Sequence, residues 1–124
     1  MGHKKRVSYF YDPDIGGFYY NPGHPMKPHR LSLTHNLVLN YDLHQHMKVY
    51  RPHKATDEEI LKYHSTEYVE FLKKCTPDSL HLFSQECRRF VNGDDCPMFE
   101  GVYPYCQAYT GGSIEGAWKL INNE

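Results

Sequence analysis

A mixed strand-and-helix domain is what this sequence predicts, on three observations. Two short runs, residues 7–11 (VSYFY) and 47–51 (MKVYR), carry β-branched and aromatic residues, and each is stopped by a proline-containing segment. Between them the apolar residues Leu31, Leu33, Leu37, Val38, Leu39 and Tyr41 fill a stretch too long for a strand. Beyond them Thr56 and Ser65 stand just ahead of helix-forming segments, where caps belong. A chain of 124 residues is one domain's length. It can bury roughly two-thirds of its unfolded surface, so folding requires neither a disulfide nor a metal.

The elements follow in order. The first strand ends at Asp12, Pro13 and Asp14, a turn sequence. Residues 15–28 are rich in Gly, Pro, Tyr and Asn without a period, so they form a loop, and Phe18, Tyr19 and Tyr20 favour its being ordered. Loops of that length are usually functional or disordered. Pro28 suits the first turn of a helix running to about Leu43, where its missing N–H costs nothing. Apolar residues cover more than one face of that helix, which predicts substantial burial. The second strand, residues 47–51, stops at Pro52. Thr56 with Glu59 forms a capping box for a short helix through His64, and Ser65 caps the next, with Val69, Phe71 and Leu72 facing inward. A helix is expected over 79–90 and a Gly/Asp/Pro loop over 91–101. The last helix spans about 103–122, where Ala108, Gly112 and Gly116 line one ridge that a neighbouring element can approach closely.

Composition excludes several classes. Apolar residues are 40% and charged residues 23%, which fits neither a membrane protein nor a disordered one. No apolar run approaches the roughly 20 residues of a membrane span, and the N-terminus has no signal-peptide core. Met1 and Gly2 open like a myristoylation site, but Arg6 stands where that motif needs Ser or Thr. A soluble intracellular protein is expected. Residues 1–54 hold eight Lys/Arg against three acids and residues 55–124 hold six against twelve. The basic half can attract an anion, but the preferred reading is that the two halves neutralise each other across one fold. The cysteines Cys75, Cys87, Cys96 and Cys106 form no C-x-x-C pair, so reduced thiols are expected. His44 and His46 are close enough to share a metal, but a polar loop between helix and strand is the preferred explanation.

Four motifs carry a resemblance. YFYDPD at 9–14, GHPMKPHR at 23–30, NGDDCP at 92–97 and YTGGS at 109–113 resemble the start of class I histone deacetylases in order and spacing, from about Arg6 to Asn122. The resemblance implies an α/β fold of the arginase–deacetylase type, a mostly parallel sheet flanked by helices. It implies Zn²⁺-dependent hydrolysis of acetyl-lysine on histone tails, in the nucleus, within corepressor complexes, with neither sequence-specific DNA binding nor a membrane involved. Family catalytic domains are much longer. Their His-His pair, zinc ligands and carbonyl-polarising Tyr are expected beyond residue 124, and no His-His dipeptide occurs in this sequence. Residues 1–124 are thus expected to be the N-terminal portion of one deacetylase domain, with no catalytic residue and no metal ligand of their own.

The resemblance also assigns roles to retained positions. Asp95 is implied to sit on the pocket rim and accept hydrogen bonds from substrate backbone N–H groups; the residue pattern alone favours an Asp that caps its own turn, and the resemblance reverses that preference. Gly23 and Lys27, with Tyr19 nearby, are implied to contribute to an inositol-phosphate pocket shared with a corepressor, although the family's best-known example has His where Tyr19 stands. A solvated lysine in a proline-rich loop is the alternative. Met26 and Arg30 are implied to line an internal cavity, against an exposed Arg in a first helical turn. Three functions compete: a deacetylase, a non-catalytic module that binds corepressor or inositol phosphate, and a nucleic-acid binder. The last is disfavoured, since no basic stripe alternates with the aromatics.

Overall fold

In a computed structural model that describes residues 5–91 and 93–124, the two predicted strands pair in parallel. Strand β1 (Ser8–Phe10) lies beside β2 (Lys48–Tyr50) with Ser8 opposite Lys48, Tyr9 opposite Val49 and Phe10 opposite Tyr50. The ladder extends past both ends, since Lys48 N–H donates to Val7 C=O at 2.9 Å and Tyr11 N–H to Tyr50 C=O at 3.0 Å. A parallel pair needs a crossover, and helix α1 (His29–Asn40) supplies it. Met1 and Gly2, read above for myristoylation, and Asn92 of the NGDDCP motif lie outside the described residues.

Helix α1 corrects one expectation. None of its residues is buried, and Leu33, Leu37 and Leu39 are exposed. Its apolar side chains are spread around the cylinder rather than gathered in one stripe, so only the side carrying Leu31 packs onto the core. The caps are as expected. Thr56 Oγ accepts from Glu59 N–H at 3.2 Å to open α2 (Asp57–Leu61), and Ser65 Oγ from Tyr68 N–H at 3.3 Å to open α3 (Thr66–Lys74). Val69 and Phe71 of α3 are buried and Leu72 half-buried. The helix expected over 79–90 is two pieces, a 3-10 segment Pro77–Phe83 and then α4 (Ser84–Phe90). Thr76 N–H donates to Ser79 Oγ at 2.9 Å, so the chain starts to turn two residues before Ser79.

Helix α5 (Val102–Ile121) organises the rest. One core cluster gathers Ile15, Phe99, Tyr105 and Ala108; a second gathers Ala55, Ile60, Val69 and Tyr103. The small-residue ridge finds its partner within the chain: the positions where side chains would start on Gly112 and Gly116 lie 3.9 Å from Pro52 and from Phe10. Gly111 is tighter still, since a Cβ there would stand 1.7 Å from His53 C=O. Next to that contact Ala55 N–H donates to Gln107 C=O at 2.9 Å, and Gln107 Nε2 donates to Ala55 C=O at 3.0 Å. The segment after β2 is therefore laid directly on the backbone of α5. No helix among the described residues is long and apolar enough to cross a membrane.

Candidate functional site

Two loops meet at one end of α5. The first, between the 3-10 turn Ile15–Gly17 and α1, carries Tyr19, Tyr20, Gly23, His24, Met26 and Lys27. The second leads from α4 into α5 and carries Asp94 and Asp95. Gly101 closes the second loop at φ +79 against the Phe18 ring, a conformation that favours glycine. Tyr20 is the hinge pin between the loops. Its ring stacks on Phe99 (centroids 4.6 Å apart) and meets Tyr105 edge-on at 5.9 Å. Burial, then hydrogen bonding with Tyr105, pushes its hydroxyl well above the usual phenol range.

His24 ties the two loops together. Its ring is buried, Nδ1 accepts from Met26 N–H at 3.1 Å, and Nε2 lies 3.0 Å from Asp95 C=O. The bridge spans 71 positions of sequence. The GHPMKPHR string contains this histidine, but no local pattern announces a bond to so distant a carbonyl.

The sequence-predicted residues fall as follows. Asp95 is exposed, and its carboxylate has no hydrogen-bond or ion-pair partner among the described residues. Gly23 adopts φ +83 with open space where a side chain would go, so backbone conformation is what favours glycine there. Lys27 Nζ lies 5.3 Å from the centre of the Tyr19 ring, within cation–π range, and both are exposed. These three are thus brought to one exposed loop. Met26 is half-buried and packs against the Ile15–Phe99–Tyr105–Ala108 cluster. Arg30 is exposed in the first turn of α1.

A second polar cluster escaped the sequence reading. His53 Nδ1 lies 2.6 Å from Glu115 Oε1 on α5, and His53 N–H donates to the same oxygen at 2.9 Å. His53 Nε2 is 3.1 Å from both oxygens of Glu59 on α2. Hydrogen bonds to Glu115 and Glu59 raise the imidazole pKa, and both carboxylates are lowered in turn.

The four cysteines are free thiols, and burial pushes those of Cys75 and Cys106 upward. Asp42 and His44 stand one residue apart, a spacing that two metal ligands can share. They occupy the 3-10 turn Leu43–His46 and its N-cap. Among the described residues, no group of three or more His, Cys, Asp or Glu side chains converges as a metal site requires.

Comparison with known proteins settles the family. The histone deacetylase domain family matches residues 24–124. The chain belongs to the histone deacetylase family. It is similar to histone deacetylase 1 of Bos taurus (52% identical over 120 residues, covering 97% of this chain and 25% of that protein). Histone deacetylase 1 of Homo sapiens is 51% identical over 120 residues, covering 97% of this chain and 25% of that protein. Histone deacetylase 9 of Arabidopsis thaliana is 51% identical over 122 residues, covering 98% and 29%. The chain thus spans about a quarter of the length of these curated relatives. In a member of this family the parallel β1–α1–β2 unit is a piece of an α/β histone deacetylase architecture.

Proposed function

We propose that the full-length protein is a zinc-dependent lysine deacetylase that acts on acetylated histone tails in the nucleus, within a corepressor assembly. On this reading the 124 residues are part of a single deacetylase domain and contribute the substrate rim rather than the hydrolytic centre. Support comes chiefly from identities of 51–52% to proteins named histone deacetylase along 97% of this chain. The described residues do not fit a zinc site, so the family's metal chemistry is assigned to none of them.

What these residues do is bind and orient. Asp95 offers an exposed, acceptor-only carboxylate to the backbone N–H groups of an extended peptide. Gly23, Lys27 and Tyr19 form one side of an inositol-phosphate site, where Lys27 supplies the charge and the Tyr19 ring lies within cation–π range of its ammonium. Met26 and Arg30 border the internal cavity in the assembled domain. The test is acetate release from an acetyl-lysine histone peptide by the purified full-length protein, with and without a zinc chelator. Chelator-sensitive release is the expected result; no release at any metal loading overturns the reading.

A further inference from the structure

The orientation of the His24 ring is over-determined. Gly23 turns the chain at φ +83, the Met26 N–H donates to Nδ1, and the Tyr20 ring packs 4.8 Å away. The side chain is shut off from solvent at 8% exposure. A nitrogen that accepts a backbone N–H carries no proton, so in the neutral ring the proton resides on Nε2 and points at Asp95 C=O. The far side of this bond is different. Asp94, Asp95 and Cys96 are exposed, and the buried anchors Met98 and Phe99 come only after them.

We propose that His24 is a positioning residue for Asp95: its Nε2–H fixes the Asp95 backbone, and with it the direction in which the carboxylate faces a peptide. The inference rests on reading Asp95 as a peptide clamp. A clamp that accepts N–H groups needs its oxygens held to within a fraction of an ångström, and an exposed loop does not hold them unaided. His24 supplies the missing support from a loop that is itself packed onto the core through Met26.

The experiment compares His24→Asn with His24→Gln in the full-length protein. Asn keeps a polar group near the Nδ1 position but cannot reach Asp95; Gln places an amide N–H where Nε2 stands. Amide hydrogen exchange over residues 93–97 and steady-state kinetics on an acetylated peptide are measured for both. For His24→Asn, loss of one neutral hydrogen bond predicts exchange about fivefold faster in that loop and a similar rise in peptide KM. His24→Gln should restore both. Unchanged loop exchange in His24→Asn overturns the proposal, and so does exchange that rises throughout the protein or a Gln variant that rescues neither quantity. Asp95→Asn, run in parallel, separates the two ideas. If it leaves peptide KM untouched, the clamp reading fails, while loop exchange still decides whether His24 positions Asp95.

Discussion

At Asp95 two acidic residues stand side by side, and the chemistry assigned to the second can be separated from that of the first. Asp95→Asn keeps the size of the side chain and exchanges one acceptor oxygen for a donor. If peptide N–H groups face that position, a charge-assisted hydrogen bond is lost and a donor meets a donor. The expected cost is about 1.5–3 kcal/mol, roughly tenfold to a hundredfold in kcat/KM on an acetylated peptide. The loss should be far smaller on a small acetylated amide that has no backbone to grip, and Asp94→Asn should change little on either. Steady-state kinetics of both variants on both substrates check this, and equal losses on both substrates would mean loop collapse instead. Local sequence was enough to propose Asp95, Gly23 and Lys27, because each lies in a string specific to the family. It did not carry His24 or His53, because each acts through partners far along the chain: 71 positions for His24 and Asp95, 62 for His53 and Glu115.

Helix α5 shows the same division at the scale of an element. Its ridge of small residues was legible, since Ala108, Gly112 and Gly116 fall at helical spacing, and Gly112 and Gly116 do face Pro52 and Phe10. Gly111, one position off the ridge, makes the closest approach, and spacing alone does not reveal it. Two neighbouring glycines therefore predict opposite outcomes. Gly111→Ala would set a methyl 1.7 Å from the His53 carbonyl and force the 52–55 segment off the helix. That overpacking should cost about 1–3 kcal/mol. Gly112→Ala meets nothing closer than 3.9 Å, so it should gain up to about 1 kcal/mol from better helix propensity. Chemical denaturation of the two variants beside the parent checks both signs. The caps Thr56 and Ser65 were readable because capping is a local hydrogen bond. The exposure of α1 was not, because burial depends on what lies opposite a helix and not on its own composition.

For the molecule as a whole, two features set behaviour in solution. Among the described residues the sheet is a single parallel pair, and Leu33, Leu37, Val49, Trp118, Leu120 and Ile121 are exposed. Parallel sheets are normally covered on both faces, so the 124-residue chain by itself should self-associate and bind a hydrophobic dye. Light scattering that shows a monomer without dye binding would contradict this. The second feature is the imidazole clamp that joins the segment after β2 to α2 and α5. His53 has a raised pKa because Glu115 and Glu59 accept its hydrogen bonds. A raised folded pKa means that the stabilisation is fully present below the unfolded value of about 6.5 and is lost as pH rises through the folded value. The carboxylates run the other way: their pKa values are lowered, so their contribution is present above about 4.5 and is lost as pH falls through the folded values. The clamp is therefore strongest between about pH 4.5 and 6.5 and weakens as pH rises through the raised folded value of His53. The side chain is partly open to solvent, so the effect should be modest and should shrink further in high salt. His53→Gln keeps a donor but carries no charge at any pH. Its melting temperature should fall below that of the parent at pH 6 and converge with it by pH 9, and the gap should narrow in 1 M salt. The difference between parent and variant cancels the titration of the other histidines, so a gap that stays constant from pH 6 to pH 9 would show that His53 stabilises the fold without its charge.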